Sequence, residues 1–172
     1  MTRPAELRIF DPPQSALMLP VSGPIDRPFG AADSVGGAKS GVGLTAPAGG
    51  QVVAPFDGRV IYAGGFRDLG LVLIIRHGGG YHSLLAGLGR VDVDTDQWVL
   101  VGEPVGAMPV SERSPQAGEG RGEAPTSPLY YELRRDGRPV DPQPWLARSD
   151  DGHPAEPPRE PDERNGDQRV RQ

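Results

Sequence analysis

Short apolar runs separated by glycine turns fill residues 51–88, and this stretch constrains the fold more than any other. Residues 51–55, 59–63, 70–76 and 81–88 are rich in aliphatic side chains, and Asp57-Gly58 and residues 77–80 interrupt them. This pattern is typical of consecutive antiparallel hairpins. Residues 71–75 show no alternation of apolar and polar side chains, so we expect that strand to be buried on both faces. The strand at residues 71–75 is therefore expected at the centre of the domain.

Composition supports a mostly-β domain and excludes several classes of function. The 172 residues include 25 glycines and 20 prolines, which favour turns and short strands over helices. A net charge of −5 provides no basic field for nucleic acid or an anionic membrane. The chain has no cysteine, so disulfides and thiolate metal sites are excluded. No run of about 18 apolar residues exists that would span a bilayer.

The ends of the chain differ in composition from its centre. Residues 1–16 hold three prolines and little periodicity, which predicts a loosely held lead-in. The ordered domain is expected at 17–146, interrupted by a flexible loop at 109–127. Residues 147–172 contain only one large aliphatic side chain, Val170, among many charges and prolines, which predicts a disordered tail. The N-terminus lacks the apolar centre of a secretory signal.

Six short runs resemble the M23 (LytM-type) zinc endopeptidases, which cut peptidoglycan cross-bridges. The runs occur in the family's order and spacing: Phe29-Gly30; Ala46-Pro47 with Gly49, Val52 and Ala54; Asp57-Gly58-Arg59-Val60; His77-Gly78-Gly79-Gly80-Tyr81; Gly102-Glu103-Pro104-Val105-Gly106; and 129–134 with Pro139-Val140-Asp141-Pro142. The resemblance covers about residues 19–146. It implies an antiparallel β-sheet core, a β-sandwich of the duplicated hybrid-motif kind, with a groove across the sheet.

The metal ligands of that family are missing from this sequence. Active members hold zinc through a His-x-Gly-x-Asp motif and the second histidine of a later His-x-His. These positions fall on Lys39, Gly43 and Tyr130, and the assisting histidine falls on Gly87. A catalytic zinc needs three protein ligands with free lone pairs and one open position for water. We therefore expect no metal, no other cofactor and no catalysis.

The resemblance is greatest to the degenerate LytM domains of EnvC-like murein hydrolase activators. That subfamily binds and activates N-acetylmuramoyl-L-alanine amidases during cell separation. The resemblance implies a periplasmic domain whose groove captures an amidase helix, with peptidoglycan as a further possible ligand. An export signal would then lie outside this sequence. Partner-binding positions implied along the groove are Lys39, Val42, Gly43, Tyr81, His82, Leu85, Gly87, Tyr130, Glu132 and Arg134.

Several of these residues have plainer interpretations. Lys39, the sole lysine, suits either a solvated loop or a contact with a partner carboxylate. Tyr130, Glu132 and Arg134 share one face of a strand, because side chains alternate with a period of two. That face suits either a binding surface or sheet packing. For Tyr81, His82 and Leu85, a place in the core and a place in the groove are equally compatible with the sequence.

Two other classes of function remain open from the sequence. A zinc endopeptidase would need unrecognised ligands, for which His77, His82 and His153 are the available histidines. They lack a carboxylate at a recognised spacing. A lipoyl-type carrier has similar hairpins but presents a lysine between hydrophobic neighbours, unlike Lys39 between Ala38 and Ser40. Glycan binding without a protein partner is a variant of the activator hypothesis.

Overall fold

Antiparallel strands make up most of the ordered chain. The computed structural model describes residues 8, 10, 11, 16–32, 40–110 and 126–146. Within these residues, the strands in chain order are β1 (Ile25–Arg27), β2 (Val42–Pro47), β3 (Gln51–Val53), β4 (Gly58–Gly65), β5 (Leu71–Arg76), β6 (Tyr81–Leu88), β7 (Arg90–Val91), β8 (Trp98–Val99), β9 (Pro104–Ala107), β10 (Thr126–Arg135) and β11 (Arg138–Val140). Short 3₁₀ turns occupy Arg67–Leu69 and Gln143–Trp145. The predicted mostly-β class is confirmed.

The strands form two sheets. The larger has eight strands in the order β1-β2-β10-β6-β5-β4-β8, with β11 paired to β10. The smaller has three strands in the order β3-β9-β7. All paired strands are antiparallel. In the described part of the chain, no helix is long and apolar enough to cross a membrane.

The predicted run of hairpins forms only in part. Strands β4, β5 and β6 are consecutive and antiparallel, as their glycine turns predict. The expected hairpin at Asp57-Gly58 is absent, because β3 joins the smaller sheet and pairs with β9. Asp57 is 3% exposed and accepts a hydrogen bond from the backbone N–H of Val101 at 2.8 Å. The buried Asp57 carboxylate thus holds the loop around Val101, and Asp57-Gly58 does not form the turn of a hairpin.

One face of the larger sheet forms the core. Leu44, Leu85 and Leu129 lie on this face and are fully buried, as are Leu73 and Ile75 of β5. The other face is covered less completely, since Ile74 is only half-buried. The expectation that β5 is buried on both faces is therefore correct for Val72, which is 2% exposed, but not for the whole strand.

Phe10 corrects the expectation of a loosely held lead-in. Its side chain is 1% exposed. Its ring centroid lies 5.3 Å from that of Phe56, 4.9 Å from Tyr81 and 6.1 Å from Trp145. An aromatic side chain buried in this way contributes a large apolar area to the core. Residues before position 17 therefore belong in part to the domain.

The two segments predicted to be unstructured fall mostly outside the described residues. Of the loop predicted at 109–127, residues 111–125 are not described, and Thr126 and Ser127 already belong to β10. The tail predicted at 147–172 lies wholly outside the described residues. Its disorder stays a prediction.

Candidate functional site: the outward face of the large sheet

Three of the family's functional positions come together on the larger sheet: the zinc-ligand positions 43 and 130, and position 87, which corresponds to the assisting histidine. Tyr130 of β10 lies opposite Gly43 of β2 on one side and Ala86 of β6 on the other. Gly87 follows Ala86 directly and has a φ of +93°. A side chain there would be strained, and its Cβ would approach the carbonyl oxygen of Pro128 at 3.0 Å. Lys39 lies outside the described residues.

Tyr130, Glu132 and Arg134 form a hydrogen-bonded line along β10. The Tyr130 hydroxyl donates to Glu132 Oε2 at 2.7 Å, and Arg134 Nε donates to Glu132 Oε1. Glu132 is only 5% exposed, whereas its two partners are half-buried. Burial raises the pKa of Tyr130, and the adjacent Glu132 carboxylate raises it further, so the phenol stays neutral.

Gly41 makes room for the Tyr130 ring. A Cβ at Gly41 would lie 2.8 Å from Tyr130 Cζ and 2.9 Å from its hydroxyl oxygen. Those distances are too short for ordinary van der Waals contact. The glycine that this sequence retains from the family motif therefore allows the phenol to lie across the backbone of β2.

Arg27, which no sequence motif indicates, fills the space beside Gly43. Arg27 of β1 is paired with Gly43. A Cβ at Gly43 would lie 2.8 Å from Asp26 Oδ1 and 3.2 Å from Arg27 Nη2. The positive charge of Arg27 also acts on the Tyr130 phenol, opposing the rise in its pKa. The pairing of β1 with β2 brings Arg27 here, and no local sequence signal predicts it.

The described residues at the family's ligand positions do not fit a catalytic zinc. Gly43 and Gly87 have no side-chain donor atom, and a guanidinium already lies beside Gly43. Tyr130 is a neutral phenol whose proton is donated to Glu132, and a neutral phenol is a poor zinc ligand. In the described ranges, no three His, Cys, Asp or Glu side chains lie close enough to share a metal ion.

The predicted groove residues divide between the two faces of the sheet. Val42, Tyr81 and Leu85 are 0%, 5% and 0% exposed and belong to the hydrophobic core. Their assignment to a partner-binding groove is therefore wrong, because their side chains point away from the Tyr130 face. The outward face instead carries Gly43, His82, Tyr130, Glu132 and Arg134.

Leu84 and Ile74, and not Leu85, are the aliphatic side chains of β5 and β6 that lie on the outward face beside Glu132. Leu84 lies opposite Glu132, and Ile74 lies opposite Leu84. Both are half-buried. The signal that would have found them is the period of two, because Leu84 must face the same side as His82 if Leu85 faces the core.

A second polar cluster lies beneath the sheet, on the core side. His77 is 4% exposed, and its Nδ1 lies 2.8 Å from the carbonyl oxygen of Asp57. Its Nε2 lies 2.7 Å from Ser83 Oγ, which lies 3.0 Å from the Tyr131 hydroxyl. Since a carbonyl only accepts, Nδ1 carries the proton, and Nε2 accepts from Ser83. Tyr131 then donates to Ser83. This series of uncharged hydrogen bonds joins His77, which directly follows β5, to Ser83 of β6 and Tyr131 of β10.

This buried histidine predicts a loss of stability in mild acid. Burial lowers the pKa of His77 from its ordinary 6.5 to about 4. Between those pH values the unfolded chain binds a proton that the folded chain does not. Stability is therefore full above about pH 6.5 and falls by up to about 3 kcal/mol as the pH drops to about 4. Urea unfolding across this range measures the loss.

Two measurements separate His77 from the other histidines. His77→Gln is expected to lose the pH dependence of the unfolding free energy, whereas His82→Gln is expected to retain most of it, because His82 contributes less than burial to the lowered pKa of His77. An NMR titration of the histidine ring protons in the unaltered protein reports the pKa of His77 directly. An ordinary pKa for that ring would contradict the assignment.

The chain matches the model of one protein family and several curated relatives. The Peptidase family M23 model matches residues 37–142. The murein hydrolase activator EnvC of Escherichia coli K12 is 37% identical over 108 residues, which are 63% of this chain and 23% of EnvC. The murein hydrolase activator NlpD of Salmonella dublin is 30% identical over 135 residues, which are 78% of this chain and 32% of NlpD. The aligned region thus spans a quarter to a third of these relatives.

Solved structures share the fold. A zinc-containing peptidase from Vibrio cholerae superposes with a TM-score of 0.59 at 24% identity, covering 74% of this chain and 39% of that one. A chain of the SpoIIQ–SpoIIIAH pore-forming complex superposes with a TM-score of 0.59 at 18% identity, covering 77% of this chain and 91% of that one. At these identities the superpositions show the fold alone. The family model covers more than half of the sequence, and on that ground the chain belongs to peptidase family M23.

Proposed function

We propose that this chain is a non-catalytic LytM-type domain that binds and activates a peptidoglycan amidase. The observation that carries the proposal is the state of the ligand positions. Gly43 and Tyr130, at two zinc-ligand positions of the family, lie opposite each other, and Gly87, at the position of the assisting histidine, follows the residue opposite Tyr130 on β6; none of the three offers a metal ligand. The face around them is half-exposed and available to a partner. The names of the relatives, murein hydrolase activators, agree with this function.

The proposed partner is an N-acetylmuramoyl-L-alanine amidase in the cell envelope, with the periplasm as the compartment. A helix of the amidase lies in the groove of the outward face and is thereby held away from the amidase's own active site. Activation is then a shift between closed and open amidase. To raise the open fraction from about 1% to about 99%, the domain must bind the open form about 10⁴-fold more tightly.

A second candidate function is zinc-dependent cleavage of peptidoglycan cross-bridges. The match to peptidase family M23 favours it. It requires ligands other than the described family positions. Peptidoglycan itself is a further candidate ligand of the groove in either case.

One experiment separates the two functions. Dye-labelled peptidoglycan sacculi are incubated with the purified chain alone, with an amidase from the same genome alone, and with both together. We expect no dye release by the chain alone and at least tenfold more release by the pair than by the amidase alone. Release by the chain alone that a chelator abolishes would establish the peptidase and overturn the activator.

A further inference from the structure

A row of four basic side chains crosses the outward face of the larger sheet. Arg134 of β10 lies opposite His82 of β6, and His82 lies opposite Arg76 of β5. Arg76 in turn lies opposite Arg59 of β4. Residues directly opposite in neighbouring strands point to the same face. We call these four residues the basic row.

Among the residues that the structure describes, no carboxylate forms an ion pair with the two central residues of the basic row. Its ends are paired, Arg134 with Glu132 and Arg59 Nη2 with Asp96 Oδ1 at 2.9 Å. Arg76 is exposed, and among the described residues neither it nor His82 forms an ion pair with a carboxylate. The whole chain carries a net charge of −5, so this is a local excess of positive charge on an acidic protein. Such an excess attracts a negatively charged partner.

An apolar row lies beside the basic row on the same face. Tyr62 lies opposite Ile74, and Ile74 lies opposite Leu84. All three side chains are half-buried. Along β5 and β6 the two rows are two residues apart, which is about 6.7 Å at the usual rise of a strand. The outward face therefore offers a basic stripe and an apolar stripe side by side, both running across the strands.

The spacing of the rows fits an α-helix. Neighbouring strands are about 4.8 Å apart, so four strands place the ends of the basic row about 14 Å apart. An α-helix advances about 5.4 Å per turn, so side chains at i, i+4 and i+7 recur at nearly the strand spacing. Carboxylates on the flexible peptides of peptidoglycan have no comparable fixed spacing beside an apolar stripe.

We propose that the basic row binds an acidic stripe on an amphipathic helix of the partner. The helix lies across the strands, with Asp or Glu side chains on successive turns against Arg76 and His82. Its apolar stripe packs on Tyr62, Ile74 and Leu84. This inference rests on the proposed function, and it adds the chemistry and the direction of the captured helix.

Two synthetic helical peptides test the charge preference. Both carry the same leucine stripe, flanked by glutamates in one peptide and by lysines in the other, and binding is followed by fluorescence anisotropy. We expect the glutamate peptide to bind at least tenfold more tightly. Its affinity is expected to fall as sodium chloride rises from about 0.05 to about 0.5 M. Equal binding of the two peptides would overturn the proposal.

Variants assign the preference to the basic row. Arg76→Glu is expected to abolish the tenfold preference, whereas Arg90→Glu, an exposed arginine of β7, is expected to retain it. If Arg76→Glu alters the melting temperature, the neutral variant Arg76→Gln replaces it in the peptide measurement. The contrary result is that soluble peptidoglycan fragments bind only when Arg76 is present while the glutamate peptide does not bind. That result would identify peptidoglycan, and not a helix, as the ligand of the basic row.

The amidase assay separates this inference from the proposed function. Stimulation by the unaltered chain that Arg76→Glu leaves unchanged would refute the basic row while the activator stands. Loss of most stimulation in Arg76→Glu, with the melting temperature preserved, would support both. No stimulation by the unaltered chain would refute the activator, and the peptide measurements then decide the basic row on their own.

Discussion

Tyr130→Ala is expected to reduce amidase stimulation at least tenfold while leaving the domain folded. The phenol lies at the centre of the outward face, between Gly43 and Ala86, where a bound helix would meet it. Aromatic side chains in such positions supply a large share of binding energy. Within the domain, the substitution removes one hydrogen bond to Glu132. That loss costs about 1 kcal/mol, because the carboxylate keeps Arg134 as a partner.

The measurement is dye release from sacculi by the amidase at saturating domain, together with the melting temperature of each variant. Arg90→Ala is the matched control, because its ion pair with Asp92 is exposed and lies on the smaller sheet. It is expected to stimulate fully. Full stimulation by a folded Tyr130→Ala domain would show that Tyr130 is not part of the binding surface.

Arg134 needs a paired substitution to give an equally clear result. Charge reversal at Arg134 would place a second carboxylate beside Glu132, which is nearly buried. Breaking a fully buried pair by removing one partner costs about 3–5 kcal/mol, and we expect a smaller loss here because the Arg134 side chain is 43% exposed. The double variant Glu132→Gln with Arg134→Gln removes both charges together. It is expected to lose stimulation with less loss of stability than Arg134→Glu.

Leu85→Ala is expected to destabilise the domain by about 4 kcal/mol. Leu85 is fully buried on the core face, where it lies opposite Leu73 and Tyr131. Removing a buried leucine side chain loses its transfer free energy and leaves a cavity. Since domains of this size are stable by only about 5–15 kcal/mol, the loss is a large fraction of the total.

The adjacent Leu84 provides the control on the same strand. Leu84 is half-buried on the outward face, so Leu84→Ala is expected to cost less than half as much stability. We expect Leu84→Ala to weaken amidase stimulation instead. Urea unfolding gives both free energies. Equal costs for the two variants would contradict the assignment of the faces.

The sequence predicted the local structure of the central strands correctly. Glycines at 78–80 lie between β5 and β6, and β4 ends at Gly65, after which the chain reverses through Arg67–Leu69 and Gly70 into β5. Turn chemistry of this kind is local, so it can be read from neighbouring residues. The shared face of Tyr130, Glu132 and Arg134 was predicted for the same reason, since alternation along a strand needs no knowledge of its partners.

The sequence did not predict which strands pair. Gln51–Val53 has the same apolar character as the strands that follow, yet it lies in the smaller sheet beside β9. Phe10 lies in a proline-rich segment, yet it packs against Phe56, Tyr81 and Trp145. Both outcomes depend on contacts between residues far apart in the chain, which local propensity does not encode.

By itself, the sequence determined the β-rich class, the reversals that join β4, β5 and β6, the loss of the family's zinc ligands at positions 39, 43 and 130, and the loss of the assisting histidine at position 87. Only the tertiary structure decided which face of the larger sheet is the core, and so moved Val42, Tyr81 and Leu85 out of the groove. It also decided that Arg27 lies beside Gly43 and that the basic row crosses four strands. The physical reason is that alternation fixes which residues share a face, whereas strand register and packing fix what that face meets.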